Sequence, residues 1–211
     1  MSEYEKKVKE EGFDFIIGID EAGRGPLAGP VVAAAVLLKE TDFSSPIRDS
    51  KKLSPKQREG SFAEIFQKAY VGVGVMNEKI IDKENILQAT FLAMESAVID
   101  LERQIPESFC DKRSFVKKTC LLIDGNRFQT KLPYSYRTIV NGDSLVFSIS
   151  CASIVAKVTR DRMIDLYDKI YPQYGFKKHK GYGTLAHRNA IKQYGLSTIH
   201  RKTFSQKFCV K

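Results

Sequence analysis

The chain has 211 residues, of which 43% are hydrophobic and 28% charged, with a net charge of +9. That length suits one domain that buries about two-thirds of its unfolded surface without a disulfide or metal staple. No apolar run approaches the roughly 18 residues of a membrane span, and the mixed-charge start MSEYEKKVKEEG lacks the apolar core of a signal peptide, so a cytoplasmic chain with no membrane segment is expected.

Cys110, Cys120, Cys151 and Cys209 form no C-x-x-C pair, so free thiols are expected. The charge is uneven. Residues 151–211 hold 13 basic and 3 acidic residues, whereas residues 1–150 hold 21 and 22. Such asymmetry fits a polyanion-binding face or a solvated basic surface.

In chain order, the first dozen residues read as a frayed start or a short helix. DFIIGID (14–20) is a β-branched apolar run and predicts a buried strand, followed by the punctuated turn EAGRGPLAGP (21–30). VVAAAVLL (31–38) predicts a second strand and 41–55 a turn-rich segment. Ser54 and Pro55 supply an N-cap and a first-turn proline for a helix through Phe66. AYVGVGVMN (69–77) predicts a third strand. Residues 78–103 predict two helices split near Asn85, the second carrying Leu87, Phe91, Met94, Val98 and Leu101 at helical spacing. Residues 105–118 read as a charged linker. TCLLID (119–124) predicts a fourth strand and RTIVNGD (137–143) a fifth. A long helix over 147–171 stops at Pro172. A Gly-rich basic loop (175–184), a short helix (185–194) and a basic irregular tail (196–208) complete the chain. This order fits a mixed α/β or α+β sheet with helices on its faces.

Three strand-like runs end in acids: Asp20 with Glu21 next, Asp124, and Asp143. A desolvated charge costs several kcal/mol, so acids converging at one sheet edge need a neutralising cation. An all-oxygen set suits Mg²⁺ or Mn²⁺, and pairs of such ions serve phosphodiester chemistry. Taken singly, each acid is equally a cap or turn residue. The turn 21–30 has neither the GK[ST] ending of a P-loop nor the spacing of the dinucleotide fingerprint. Gly23 and Gly25 permit close backbone approach to a ligand, and Arg24 between them can pair with phosphate or simply decorate a turn.

Six blocks span nearly the whole chain: IGIDEAGRGPLAGPVVAAAV (17–36), DSKKLS (49–54), LLIDGN (121–126), NGDSLVFSISCASIVAKVTRDR (141–162), YPQYGFKKHKGYGT (171–184) and IHRKTF (199–204). In these blocks the sequence resembles the bacterial ribonuclease HII family. The resemblance implies a ribonuclease H-like fold, α/β with a mixed central sheet flanked by helices. It implies one catalytic domain over 1–211, with 172–211 a basic helical substrate-binding extension. It also implies hydrolysis of RNA in RNA–DNA hybrids and cutting 5′ to single ribonucleotides in DNA duplexes, leaving 3′-hydroxyl and 5′-phosphate ends. The associated roles are ribonucleotide excision repair and RNA primer removal.

The family's four catalytic acids map onto Asp20, Glu21, Asp124 and Asp143, which would hold two Mg²⁺ or Mn²⁺ ions. Its Gly-Arg-Gly element maps onto Gly23, Arg24 and Gly25 at the ribose 2′-hydroxyl, and its sugar-stacking tyrosine onto Tyr182. A type HIII enzyme has a different residue between these glycines. Ser50, Lys51 and Lys52 are candidate phosphate contacts or a helix-flanking turn. Lys177, Lys178, Lys180, Arg201 and Lys202 are candidate phosphate contacts or solvated surface. His179, His187 and His200 lack metal-ligand spacing and are expected at the surface. Lys157 and Asp161 suit an i, i+4 ion pair. A monomer is expected, with a replication sliding clamp as a candidate partner through the tail near Phe204 to Phe208. A DNA junction nuclease and a non-catalytic nucleic-acid-binding protein are the competing readings.

Overall fold

A computed structural model describes residues 2–106, 108–109 and 111–209, which leaves Cys110 outside the described residues. In chain order the elements are α1 (Glu3–Glu10), β1 (Phe15–Ala22), β2 (Val31–Leu38), α2 (Pro55–Lys68), β3 (Ala69–Met76), α3 (Glu78–Glu84), α4 (Ile86–Glu102) and α5 (Lys112–Lys117). Then follow β4 (Thr119–Asp124), β5 (Ser135–Ile139), α6 (Gly142–Leu145), α7 (Phe147–Ile170), α8 (Phe176–His179), α9 (Leu185–Tyr194) and α10 (Lys202–Ser205).

The strands form one mixed sheet in the order β3-β2-β1-β4-β5. β2 runs antiparallel to both of its neighbours, β1 and β3, while β4 runs parallel to both β1 and β5. Successive side chains of β2 alternate between faces. Ala33 and Ala35 meet Ala93, Met94 and Ala97 of α4, and Ala34 and Val36 meet Cys151, Ala152 and Val155 of α7. The small residues of the VGVG run let α4 lie directly on the backbone of β3. A Cβ on Gly72 would stand 2.0 Å from the Ala97 carbonyl, and one on Gly74 1.9 Å from that of Ala93. Each fully buried Ile, Leu or Val in these layers contributes about 1.5–3 kcal/mol.

The caps behave as the sequence implies. Ser54 accepts from the Gln57 N–H in a capping box, and Asn85 ends α3 and caps α4. Four boundaries differ from expectation. β1 continues two residues past Asp20, because β2 keeps pairing with it through Ala22. β5 stops at Ile139, since Asn141 takes a left-handed φ of 58° and turns the chain into α6. The charged stretch 105–118 contains α5, capped by Asp111. The loop 175–184 and the tail 196–208 contain the short helices α8 and α10, which with α9, expected at 185–194, pack around a satellite cluster of Leu27, Ala28, Ile164, Tyr174, Phe176 and Ile199. This cluster anchors the C-terminal region to the turn between β1 and β2. Cys120, Cys151 and Cys209 are free thiols. Among the described residues, no helix is long and apolar enough to cross a membrane.

Candidate active site

The parallel β1–β4 ladder ends at the pair Ile19–Ile123. One further step of the same register puts Asp20 beside Asp124, at the point where β1 and β4 stop pairing with each other while each still pairs with its outer neighbour. Asp143 arrives from α6 rather than from a strand, and its N–H donates to Oδ1 of Asp124 over 3.4 Å. The Asn141 turn directs it there, and the Ser150 hydroxyl fixes it by donating to the Asp143 carbonyl at 2.7 Å. Glu21 follows Asp20 on β1 and ion-pairs with Arg24, with Oε1 and Nη1 3.3 Å apart.

These acids are not comfortable neighbours. Burial, followed by the charges of Glu21 and Asp124, pushes the Asp20 carboxyl well above its ordinary value. Burial also raises Glu21, against the pull of Arg24. Asp124 is raised by burial and then by Asp143. Lys51 reaches the cluster from another side, with Nζ 3.5 Å from Oδ2 of Asp143. Burial would lower the Lys51 pKa, but the charges of Asp143, Asp49 and Asp20 outweigh it and raise the value. The donor set is all carboxylate, the chemistry of a hard divalent cation. Among the described residues, no three His, Cys, Asp or Glu side chains are grouped closely enough to hold one metal ion. The fit therefore rests on donor type and on the uncompensated charge.

A cavity of about 280 Å³ opens beside Asp20 and Glu21 and is walled by Gly23–Gly25, Ser50, Lys51 and Tyr182. A larger hollow of about 620 Å³ lies far from the carboxylates, along Ile99, Phe115 and Tyr134. Asp20, Glu21, the glycine turn and Tyr182 make the smaller cavity the chemically equipped one, with Asp124 and Asp143 outside its lining.

Several expected contacts are engaged within the chain. Ser50 is buried, and its hydroxyl pairs with that of Ser153 at 2.9 Å. Ser153 in turn holds the Asp20 carboxyl lower through a hydrogen bond, so Ser50, on the cavity wall, also backs a carboxylate. Lys52 is exposed and lies 3.9 Å from Asp49, away from the cavity wall. The Lys180 side chain ion-pairs with Asp165. Arg201, expected among the phosphate contacts, is fully buried, because its guanidinium is consumed by backbone carbonyls. His187 and His200, expected at the surface, are also buried, packed on Phe176 and bonded to each other. The Lys157–Asp161 pair forms at 2.7 Å.

Ser153, Lys157 and Arg160 are all on the cavity wall, yet Lys157 was read from sequence only as half of an ion pair and the other two were given no place in the site. Their signal was available as a polar stripe at i, i+4 and i+7 on an otherwise apolar stretch of α7.

Comparison with known proteins assigns the family. Residues 17–207 match the family model described as Ribonuclease HII. A Ribonuclease HII of Ruminiclostridium cellulolyticum is 49% identical over 209 residues, covering 99% of this chain and 76% of that one. The ribonuclease H2 of Pyrococcus horikoshii OT3 superposes with a TM-score of 0.68 at 27% identity, covering 92% of this chain and 96% of the other. The fold is also that of the RNase HII in the PCNA:RNase HII complex from Archaeoglobus fulgidus, with a TM-score of 0.70 at 22% identity over 89% and 93% of the two chains. The chain therefore belongs to the ribonuclease HII family, endoribonucleases that act on RNA–DNA hybrids.

Proposed function

We propose that Asp20, Glu21, Asp124 and Asp143 are the catalytic carboxylates, and that they hold two divalent cations, Mg²⁺ or Mn²⁺. The single observation that carries this reading is the meeting of Asp20 and Asp124 at the end of the β1–β4 ladder, with Asp143 bonded to Asp124. When bound, the ions would lower the pKa of an attacking water and neutralise the departing 3′-oxygen. The chain's own part is positional. Ser50 and Ser153 steady Asp20, while the Asn141 turn and Ser150 hold Asp143. Lys51 is free to exchange its carboxylate partner for a phosphate when substrate enters.

In this reading the cut falls 5′ to a ribonucleotide, within a hybrid or alone in a DNA duplex, leaving 3′-hydroxyl and 5′-phosphate ends. Ribonucleotide excision repair and primer removal are the processes that use such a cut. The 2′-hydroxyl is the feature that separates RNA from DNA. Gly23, Arg24 and Gly25 read it, and Tyr182, whose ring is half-exposed at the cavity, packs on the adjoining sugar. Residues 172–211 form a substrate-binding extension of a single domain over 1–211, in which Lys180 and Lys52 serve the phosphate backbone at longer range. A sliding clamp is the protein partner by analogy with the Archaeoglobus complex with PCNA. Phe204 and Phe208, the rings nearest the chain end, pack partly into the satellite cluster, so a clamp would have to draw them out.

The test is a DNA duplex carrying one ribonucleotide, incubated with Mg²⁺ or Mn²⁺, beside an all-DNA duplex and an Asp124→Asn variant. One cut 5′ to the ribonucleotide, absent from both comparisons, is the expected result. Equal cutting of the all-DNA duplex would sink the ribose-reading assignments.

A further inference from the structure

Two arginines lie buried beneath the turn between β1 and β2, and each spends its guanidinium on three backbone carbonyls. Arg201 donates to Gly23, Arg24 and Gly29 at 2.5, 2.8 and 2.9 Å. Arg160 donates to Pro30, Lys180 and Ala28 at 3.0, 3.0 and 3.2 Å. Among the described residues, neither forms an ion pair with a carboxylate. Burying a guanidinium without a counter-ion is costly, and a hydrophobic side chain would fill the same space more cheaply. What a hydrophobe cannot do is orient carbonyls.

That orientation has a consequence on the opposite side of the turn. In a trans peptide the carbonyl of one residue and the N–H of the next point in opposite directions. With the carbonyls of Gly23 and Arg24 drawn onto Arg201, the N–H groups of Arg24 and Gly25 face away from it. The turn lines the cavity and Arg201 does not, so the away side is the cavity side. Among the described residues, neither N–H has a partner within the chain.

Tyr182 is held by the same segment. Its carbonyl accepts from Nδ1 of His187 at 2.9 Å, so His187 carries its proton on Nδ1 and presents a bare Nε2. His200 accepts the Ser197 N–H on Nδ1 at 2.9 Å, so its proton is on Nε2, which donates to His187 Nε2 at 3.0 Å. The chain of donors runs from Ser197 through His200 and His187 to the Tyr182 backbone. Arg201 N–H donates to Leu27, and Leu27 N–H donates to Gly181, closing the frame between the two loops.

We infer that Arg201 and the His200–His187 pair are positioning residues for ribose recognition: Arg201 aims the Arg24 and Gly25 amides into the cavity, and the histidines set the height of Tyr182 against them. This rests on the reading of Gly23–Gly25 and Tyr182 given above. It assigns part of the basic C-terminal segment a task inside the protein instead of on nucleic acid.

The experiment compares cutting of a single-ribonucleotide duplex with metal-free binding to an all-DNA duplex, for variants whose melting temperature confirms folding. Arg201→Lys keeps the charge but loses the fork, so kcat/KM should fall about 10- to 100-fold while all-DNA affinity stays within about twofold. His187→Gln can still accept from His200 but loses the reach to Tyr182, and should show a similar, smaller loss. His187→Asn places an amide where Nδ1 stood, and should recover most of the wild-type value. Equal activity of the Gln and Asn variants, or a folded Arg201→Lys enzyme within about threefold of wild type, overturns the inference. So does a matching loss of all-DNA binding, which would mean generic damage. Should Arg201→Lys fail to fold, the His187 pair decides. Tyr182→Ala is the comparator. If it cuts like wild type, the ribose-surface reading falls and takes the inference with it; if it is impaired while the positioning variants are not, only the inference falls.

Discussion

Asp20 and Asp124 stand side by side on parallel strands, and the charge of Asp124 is one of the forces raising the Asp20 pKa. Two carboxylates pressed together in this way destabilise the fold whenever both are ionised. A carboxylate with a raised folded-state pKa favours folding more as pH drops through that value and less above it. Asp124→Asn removes one charge from the cluster. Without divalent metal at neutral pH, the variant should melt above wild type while being unable to cut. Adding Mg²⁺ should raise the wild-type melting temperature by mass action and leave the variant nearly unmoved. Scanning calorimetry with and without the ion checks both halves. A variant that melts lower without metal would show that the cluster is not under electrostatic strain.

His187 and His200 provide a pH signature of opposite sign. Burial, the largest cause, pushes the pKa of each down to about 4 from an ordinary 6.5. Both are neutral in the fold, as their hydrogen bonds require. Below pH 6.5 the unfolded chain takes up protons that the folded chain refuses, so stability drains away between 6.5 and 4 and is independent of these groups above that window. The raised carboxylates carry the opposite sign, so wild type alone is not diagnostic. The difference between wild type and His187→Asn isolates the histidines. The wild-type margin over the variant should shrink steadily from pH 7 to 4.5 in chemical denaturation, and a margin constant with pH would contradict it.

How far the sequence discloses this site depends on the range of the forces involved. Asp20 and Asp124 were legible because each closes an apolar β-branched run, with Glu21 next to Asp20, a purely local pattern. Asp143 was legible as an acid but not as a helical one, since the left-handed turn at Asn141 diverts a run that reads as continuous strand. The turn at Gly23–Gly25 and Tyr182 stood out through the family resemblance. Arg201, His187 and His200 were misplaced on the surface for a plain reason. A basic residue in a basic tail looks solvated, and the carbonyls that bury Arg201 belong to a turn near the other end of the chain. The pairing of Ser50 with Ser153 was not legible either, because Ser153 lies on a distant helix.

Lys51 and Lys52 are adjacent in sequence but differ in surroundings. Lys51 lines the cavity and touches Asp143, while Lys52 points to Asp49. A phosphate contact contributes about one unit to the slope of log affinity against log salt. Lys51→Ala should flatten that slope by about one and weaken hybrid binding at low salt, with Lys52→Ala changing it by less than half as much. Fluorescence anisotropy across a salt series measures both, and equal effects would mean that the static pairing does not report the bound state.

The two glycines flanking Arg24 should fail in different ways when replaced. Gly23 holds a φ of +101°, and a Cβ there would lie 2.1 Å from Nε of Arg160 and 2.7 Å from the Pro30 carbonyl. Both the backbone region and the space exclude a side chain, so Gly23→Ala should cost about 1–3 kcal/mol of stability from strain alone, with further loss as Arg160 is displaced. Gly25 lacks the positive φ, and its added Cβ would meet only the Tyr182 ring at an ordinary 3.5 Å. Gly25→Ala should therefore fold with a melting temperature close to wild type, yet place a methyl group between the turn and the ring where a sugar must pass. The expected outcome is near-normal stability with cutting of a lone ribonucleotide reduced about 10-fold or more, since small displacements at a reacting centre are expensive. Thermal melts and single-turnover cutting of both variants separate the two effects. A destabilised Gly25→Ala, or a stable Gly23→Ala, would show that the turn is built differently from the frame that Arg160 and Arg201 define.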